Sequence, residues 1–379
     1  MKRGYNFAAG PSKLPSIVIK RAQAELLDYR DTGHSIMEHT HFTPYVKDLM
    51  QAAEDKLRAL MKIPENYKVF FCQGGGTQQF SMVPINLKKY GRAAYIDSGS
   101  WARRAIAEAE RLIEVDIIAT GRDSKFTVVP DVPSVRGNYD YVYITLNNTA
   151  EGTAWRKALP DTGDIPIVAD ASSNILSEDM DVSKFGIIFA CAQKNVGIAG
   201  VTIAIVRDDL IRADLPREIP GFMRYASYVG NRSIYNTPPV FAMHMTDLML
   251  DWMTEIGLPE MERRNLEKAA LLYAELDASK FYAPVIEDRQ SRSIMNITFT
   301  IRNADLTEKF IEGAAHRGII NIRAHHTSEF GGFRVSLYNA MPVKAIRSLI
   351  GYMRDFELRN TPEARPLFLK RLWWKLSGA

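Results

Sequence analysis

Short apolar runs alternate with amphipathic segments along the first two thirds of the chain. Apolar runs at residues 67–72, 93–97, 141–145, 165–169, 185–190 and 201–206 have the length of buried strands. Helices are predicted between them, among others at 77–87 and 101–111. Short apolar runs that are separated by helices are typical of an α/β fold with a mostly parallel, buried sheet.

Further elements are predicted before and after this sheet. A helix is predicted at 17–29, and Thr43 is predicted to cap the next one, with Pro44 at its first position. After Pro238 and Pro239 the pattern changes to long helices, at 240–256 and 260–276. Two strands and two helices then predict a smaller C-terminal α/β domain, with the boundary near residue 255; they lie at 295–301, 306–315, 332–337 and 345–356.

Composition limits the classes of function. The chain has 379 residues, of which 46% are hydrophobic and 24% are charged, which is ordinary for a globular protein. A net charge of +4 does not indicate nucleic-acid binding, and no apolar run reaches the roughly 18 residues of a membrane span. Cys72 and Cys191 lie in apolar runs and are predicted to be buried thiols. Because the N-terminus also lacks an apolar signal segment, we expect a cytoplasmic protein, and we predict no metal site.

Lys194 and Asp170 carry the clearest chemical signal. Each follows a predicted strand, which places an amine and a carboxylate at the edge where open α/β sheets bind ligands. A cofactor with an aldehyde and a pyridine nitrogen needs this pair, because the amine binds the aldehyde and the carboxylate keeps the ring nitrogen protonated. Singly, each has an ordinary explanation, a solvated lysine or a capping aspartate. Together, and followed by glycines at 197 and 200, they favour a cofactor site.

Three other features adjoin predicted strand ends, and each has two explanations. The glycines at 74–76 precede a helix, where they form either a cup for one phosphate or a plain tight turn. They match neither a Walker loop nor a dinucleotide fingerprint. The polar segment 147–153 offers a hydroxyl for a phenolic oxygen, or a loop cap. Trp101 either stacks on a flat ring or belongs to the core.

In their order and spacing these residues resemble the phosphoserine aminotransferases, in the class-V branch of the pyridoxal-phosphate enzymes. The resemblance extends from about residue 5 to about residue 359. The matching stretches are 6–11 (NFAAGP), 74–76 (GGG), 148–149 (NT), 152–153 (GT), 168–173 (VADASS), 192–195 (AQKN), 236–239 (NTPP) and 338–342 (YNAMP).

The resemblance implies an aspartate-aminotransferase-like fold (fold type I) with pyridoxal 5'-phosphate as its cofactor. The large, cofactor-binding domain would span residues 13–255. The small domain would combine 1–12 with 256–360, and residues 361–379 would form a basic, aromatic extension. The family pattern also implies a homodimer with shared active sites.

Matched positions inherit roles from this resemblance. Lys194 would bind the cofactor covalently and move the substrate proton, Asp170 would pair with the ring nitrogen, and Trp101 would stack on the ring. Arg334 would grip the substrate α-carboxylate, a bidentate task for which lysine is a poor substitute. The remaining cofactor contacts would be polar groups around the phosphate and the phenolic oxygen: Gly76, Thr77, Thr149 and Gln193, with Asn236 and Thr237 from the other subunit.

The chain departs from the family where the distal group of the substrate should bind. His41 matches, but Phe42 and Thr77 stand where arginines are expected. Arginine makes strong charge-assisted bonds to phosphate, so losing one such contact would cost on the order of 1.5–3 kcal/mol if nothing compensates. Candidates for compensation, or else ordinary loop residues, are His39, His41, Arg323, His325 and His326.

The leading prediction is a transaminase of serine biosynthesis, which moves the amino group between glutamate and 3-phosphohydroxypyruvate to give phosphoserine and 2-oxoglutarate. The alternative is an aminotransferase of the same fold that acts on a different phosphorylated or acidic keto acid, as Phe42 and Thr77 suggest. A cysteine desulfurase or lyase would need a cysteine on a mobile loop, and both cysteines lie in strand-like runs. A non-enzymatic scaffold is disfavoured by the intact Lys194, Asp170 and Arg334.

The extension at 361–379 contains basic and aromatic residues in close alternation. As a helix it would lie on an anionic membrane surface or dock on a partner. We prefer the third interpretation, a tail that folds over its own dimer.

Overall fold

The computed structural model describes residues 3–326 and 330–361. All of the predicted extension except Thr361 therefore lies outside the described residues. Among the described helices, none combines the length and the apolar character needed to cross a membrane.

The described residues form strands β1–β14 and helices α1–α10, besides short 3₁₀ turns. The strands are β1 (Tyr5–Asn6), β2 (Tyr67–Gly74), β3 (Arg92–Asp97), β4 (Glu114–Thr120), β5 (Val142–Thr145), β6 (Asn147–Asn148), β7 (Thr153–Ala154), β8 (Ile167–Asp170), β9 (Ile187–Cys191), β10 (Gly200–Arg207), β11 (Tyr282–Pro284), β12 (Asn296–Ile301), β13 (Ile319–Ile320) and β14 (Phe333–Ser336). The helices are α1 (Ser16–Ala24), α2 (Pro44–Met61), α3 (Gly76–Leu87), α4 (Ser100–Ala109), α5 (Ala192–Asn195), α6 (Tyr225–Gly230), α7 (Val240–Ile256), α8 (Leu258–Ala278), α9 (Thr307–His316) and α10 (Val343–Asn360).

A seven-stranded sheet with the order β2-β10-β9-β8-β5-β3-β4 forms the centre of the larger part of the chain. β10 runs antiparallel to both of its neighbours, and the other four pairs are parallel. The sheet is therefore mostly parallel, and the predicted α/β fold is confirmed. The register places Thr145 opposite Asp170 and Asp170 opposite Phe189, so that β5, β8 and β9 end at nearly the same level.

Both faces of this sheet are covered, which explains the near-continuous apolar runs. Alternate residues of β10 belong to two different core clusters, Ile203 to the one that includes α2 and α7 and Ala204 to the one that includes α3 and α4. Every residue of β9 is buried. The central strands are thus held between two helical layers and project only their ends towards solvent.

The C-terminal part of the chain has a core of its own. A three-stranded sheet, β11-β12-β14, packs with α8, α9 and α10, and Phe7 belongs to the same cluster. β1 joins this part by pairing in parallel with β13. These separate cores support the division into 13–255 on one side and 1–12 with 256–360 on the other, which we retain as a proposal.

Two predicted features are wrong in detail, and one strand was not predicted. α1 ends at Ala24 instead of residue 29, because Leu27 is 86% exposed and its position in the apolar pattern does not reflect burial. Pro44 does begin α2, but the Thr43 hydroxyl donates to the carbonyl oxygen of Thr40 and caps nothing. The edge strand β4 was not predicted, because its residues are only half-buried and its apolar run is interrupted by Asp116.

Lys268 is a buried cation that connects α8 to the segment after β14. Its side chain is 1% exposed, and Nζ donates to the carbonyl oxygens of Leu337 (2.6 Å) and Tyr338 (2.9 Å). Burial, with a smaller effect from nearby Arg264, lowers the pKa of Lys268 to about 7. The unfolded chain would hold this proton up to a pH of about 10.4. Between these two values the unfolded state binds more protons, so the stability of the folded state should rise with pH.

We expect the Lys268→Met variant to remove this pH dependence. From pH 7 to pH 9, the wild-type protein should gain stability relative to the variant by up to about 1.4 kcal/mol per pH unit. Thermal unfolding of both proteins at matched pH values measures the difference, with Lys280→Met, at an exposed position, as the control. Parallel pH profiles of wild type and Lys268→Met would contradict the prediction.

Candidate active site

Five strand ends of the large sheet meet at one edge. β3, β5, β8 and β9 are parallel neighbours, and β2 has the same direction because it is separated from β9 only by the antiparallel β10. Carboxyl ends of parallel strands are where open α/β sheets bind ligands. The segments that leave these ends contain the predicted cofactor residues Trp101, Thr149, Asp170, Lys194 and the glycines that begin α3.

The Lys194 amine lies among hydroxyl groups and beside an aromatic ring. Its Nζ donates to Thr149 Oγ1 (3.0 Å) and Ser173 Oγ (2.8 Å), and it lies 5.6 Å from the centroid of the Trp101 ring. The structure thus brings together three residues that the sequence predicted separately. The helical turn α5 directly after β9 explains the position, because it turns the side chain of Lys194 back over the ends of the neighbouring strands.

Ser173 was not assigned a role from the sequence. Its hydroxyl bonds both the Lys194 amine and the Thr149 hydroxyl, and the side chain is 2% exposed. The sequence signal that could have identified it is its position three residues after Asp170, as the second of two serines that follow the end of a strand. A buried hydroxyl that contacts the amine can orient it and accept or relay its proton.

Asp170 is the buried carboxylate of this site. It ends β8, is 6% exposed, and accepts a bond from the Ser172 backbone N–H (2.9 Å). Burial raises the pKa of Asp170, and the positive charge of Lys194 lowers it less than burial raises it. A buried carboxylate of this kind is stabilised by a cation with a hydrogen to donate, which a protonated ring nitrogen would provide.

The start of α3 fits closely against β9. The Gly76 N–H donates to Cys191 Sγ (2.9 Å), and a Cβ at Gly76 would lie 2.8 Å from that sulfur and 3.4 Å from Ser172 Oγ. Glycine is therefore required at this position. Thr77 is exposed, and as a first-turn residue its N–H has no acceptor within its own helix. This N–H, at the positive end of the helix dipole, is suited to an anion such as a phosphate.

Gln193 and the N-terminal strip complete the wall around Lys194. The Ser12 backbone N–H donates to the carbonyl oxygen of Gln193 (3.0 Å), and its hydroxyl donates to that of Lys194. Tyr338, which follows β14, donates from its hydroxyl to the carbonyl oxygen of Ala9 (2.8 Å). Gln193 Oε1 is buried without a hydrogen-bond partner among the described residues, which is uncommon in a folded protein and indicates a missing ligand or water.

Arg334 is the cation that the small domain contributes. It lies on β14 opposite Thr298 and is half-buried. Its Nε has no hydrogen-bond partner in the described part of the chain, and burial lowers its pKa. An arginine in this condition is an open site for a carboxylate.

The other predicted substrate residues divide into two groups. His325 and His326 line one pocket with Trp101 and Arg104. Arg323, a candidate to compensate for Phe42, instead forms an ion pair with Glu308 (2.6 Å), because both side chains are exposed on adjoining segments of the small domain.

His41, Asn236 and Thr237 lie elsewhere within the single chain. His41 lines a pocket with Phe42 and Tyr235, and no residue of this lining contacts Lys194 in the described structure. Asn236 and Thr237 are exposed, and both accept bonds from the Gln73 side chain at the end of β2. The single chain therefore does not bring these three residues to the Lys194 amine.

The arrangement as a whole fits pyridoxal phosphate. It offers an amine for the aldehyde, a buried acid for the ring nitrogen, an aromatic face, and a helix N-terminus for the phosphate. A family model described as class-V aminotransferase matches residues 4–349. The chain belongs to the class-V aminotransferase family.

Similarity to known aminotransferases extends over nearly the whole chain. A Bacillus cereus protein named phosphoserine aminotransferase is 46% identical over 364 residues, which cover 95% of this chain and 100% of the relative. The solved phosphoserine aminotransferase from Bacillus circulans subsp. alkalophilus superposes with a TM-score of 0.91 at 40% identity, covering 95% of this chain and 100% of that one. The solved, pyridoxal-phosphate-bound phosphoserine aminotransferase from Trichomonas vaginalis has a TM-score of 0.86 at 31% identity, covering 93% and 100%. The predicted enzyme class, cofactor and fold type are confirmed.

We expect Gly76→Ala to displace either α3 or Cys191 in this aminotransferase, since the added Cβ overlaps the sulfur. The overlap should destabilise the protein by about 1–3 kcal/mol and weaken its affinity for pyridoxal phosphate. Thermal unfolding and cofactor titration measure the two effects. The double variant with Cys191→Ala should recover most of the loss, because it removes the overlapping atom.

Gly75→Ala is the matched control for this experiment. Its Cβ would meet no atom within 4 Å, and its φ of −134° suits any residue. Equal losses in Gly75→Ala and Gly76→Ala, or no recovery in the double variant, would show that the contact with Cys191 is not what requires glycine.

Proposed function

We propose that this aminotransferase moves the amino group between glutamate and 3-phosphohydroxypyruvate, producing phosphoserine and 2-oxoglutarate. The observation that carries the proposal is the Lys194 amine, held by the Thr149 and Ser173 hydroxyls next to the buried Asp170. The names of the relatives support the phosphorylated substrate. They give no support to the alternative of a different keto acid, in spite of Phe42.

Pyridoxal phosphate, when bound, supplies an aldehyde for amines and a conjugated ring that takes up an electron pair. Lys194 Nζ, which the Thr149 and Ser173 hydroxyls orient, would accept the α-proton of the substrate and return it to another carbon. Asp170 would hold a proton on the ring nitrogen, and burial strengthens that pairing because water does not compete. Trp101 would cover one face of the ring and exclude water from it.

The phosphate end of the cofactor would rest on the start of α3. We assign its contacts to the backbone at Gly76 and Thr77 and to the side chain of Gln193, whose amide N–H would donate to a phosphate oxygen. Because Gly76 N–H already donates to Cys191 Sγ, the Thr77 N–H is the principal backbone donor. The Thr149 hydroxyl accepts a hydrogen bond from the Lys194 amine. The same hydroxyl would bond the phenolic oxygen of the cofactor.

Arg334 would bind the α-carboxylate common to both substrates. Its unpartnered Nε and its burial favour a bidentate carboxylate over water. Tyr338, which follows β14, donates to Ala9 in the strip beside Lys194, and this contact connects the strand of Arg334 to the wall of the active site.

We further propose a homodimer with shared active sites in the cytoplasm. Leu27, Met37 and Phe42 are 86%, 55% and 74% exposed in the single chain, and a protein interface would bury such large apolar side chains. The pocket that contains His41 and Phe42 also includes Tyr235, next to the exposed Asn236. A partner chain that covers this surface would carry His41, Asn236 and Thr237 to the neighbouring active site. The free, buried Cys72 and Cys191 are compatible with a reducing compartment.

We expect Lys194→Ala to lose the visible absorbance of the bound cofactor and to lower kcat by about 10²–10⁴-fold or more. In the wild-type enzyme, glutamate alone should shift that absorbance, because half of the reaction needs no keto acid. Lys125→Ala, at a surface turn, is the control. A panel of phosphorylated and unphosphorylated keto acids then identifies the acceptor. Rapid turnover of another keto acid, with none of 3-phosphohydroxypyruvate, would refute the proposed substrate.

We expect two defective variants to complement each other if the sites are shared. Lys194→Ala lacks the catalytic amine, and an Asn236→Ala/Thr237→Ala variant should lose activity at limiting cofactor. Co-expressed in equal amounts, they should restore about a quarter of the wild-type sites, since half of the dimers are mixed and each has one complete site. Activity no higher than that of the separate variants would show that each chain forms its site alone.

A further inference from the structure

Arg104 lies beside the candidate active site and has no role in the reaction as described above. It is on α4, one turn after Trp101, and its guanidinium carbon lies 5.1 Å from the centroid of the Trp101 ring. The Lys194 amine lies 5.6 Å from the same centroid. One indole is therefore in contact with both the catalytic amine and a surface arginine.

Within residues 3–326 and 330–361, no carboxylate pairs with Arg104, and its contact there is the Trp101 ring. The neighbouring Arg103 differs, because its guanidinium packs 4.7 Å from the centroid of Phe126 and points a nitrogen at Ser100 Oγ (3.5 Å). Both arginines line the pocket described next, and Arg104 is the one that lies against Trp101.

His325 lies near both Arg104 and Arg334. A pocket of about 610 Å³ is bounded by Trp101 and Arg104 on α4 and by His325 and His326 on the small domain. The His325 pKa is lowered by burial and then by electrostatic interactions with Arg334, His326 and Arg104, so these three side chains are near it. The guanidinium charges of Arg104 and of Arg334, the proposed α-carboxylate site, are thus both close to His325.

We propose that Arg104 binds the distal anionic group of the substrate, together with His325, and replaces the arginine contact that Phe42 cannot make. The ligand class is an α-amino or α-keto acid with a phosphate monoester or a carboxylate at its other end. Arg334 takes one end and Arg104 takes the other. This inference rests on the proposed function, because it names the group that selects among substrates of the same reaction.

The Arg104→Gln variant tests the assignment in the complete holoenzyme. With phosphoserine as amino donor, kcat/KM should fall about ten- to a hundredfold, mostly through KM, because a dianion loses a charge-assisted contact. With glutamate the loss should be smaller, and with alanine, which has no distal anion, the rate should not change. Arg104→Lys should recover part of the loss. Inorganic phosphate should compete with phosphoserine in the wild type and much less in Arg104→Gln.

Arg111→Gln is the control, since Arg111 lies just beyond the end of α4 and pairs with Glu108 on the surface. Thermal unfolding establishes that each variant is folded. Equal losses for phosphoserine, glutamate and alanine would assign Arg104 a structural role and overturn the proposal, as would unchanged kinetics for all three. If the wild-type enzyme itself fails to use phosphoserine, the proposed function fails instead, and the comparison of glutamate with alanine still decides whether Arg104 selects a distal anion.

Discussion

The common level of the parallel strand ends is the constraint on which this active site depends. Thr145, Asp170 and Phe189 lie opposite one another across β5, β8 and β9. A shift of one residue in this register would turn Asp170 to the other face of the sheet. The buried, apolar strands fix the register, because a slip would also exchange two core faces. Catalytic geometry is therefore a by-product of core packing, and the strands need no polar residue before their last position.

The site contains polar groups that the protein alone does not satisfy. Burial raises the pKa of Asp170, and both Gln193 Oε1 and Arg334 Nε lack partners among the described residues. Each such group costs free energy in the folded chain. A cationic ring would satisfy Asp170 and a carboxylate would satisfy Arg334, whereas Gln193 Oε1 needs a hydrogen-bond donor. The affinity for cofactor and substrate therefore comes partly from groups that were desolvated in advance by folding.

The sequence predicted the central strands and the residues that follow them, because buried strands are recorded in short apolar runs. It did not predict where α1 ends, because apolar residues beyond Ala24 are exposed. It did not predict β4, because the half-buried residues of this edge strand do not form a continuous apolar run. Ser173 was missed because it follows β8 whereas Lys194 follows β9, so that the two residues meet only in the folded chain. The pairing of Arg323 with Glu308 likewise depends on a contact between distant segments. Local patterns specify elements, whereas such contacts depend on the assembled fold.

The two proposed anion-binding arginines of the substrate pocket differ in burial. Arg334 is half-buried on a strand, where desolvation makes a single carboxylate contact strong and its geometry exact. Arg104 is exposed on a helix, where water screens each contact and a favourable energy requires several charges at once. A half-buried site at Arg334 fixes the α-carboxylate, and an exposed, positively charged site at Arg104 allows one pocket to accept both a γ-carboxylate and a phosphate. An arginine in place of Phe42 is then one of several ways to reach the same distal charge.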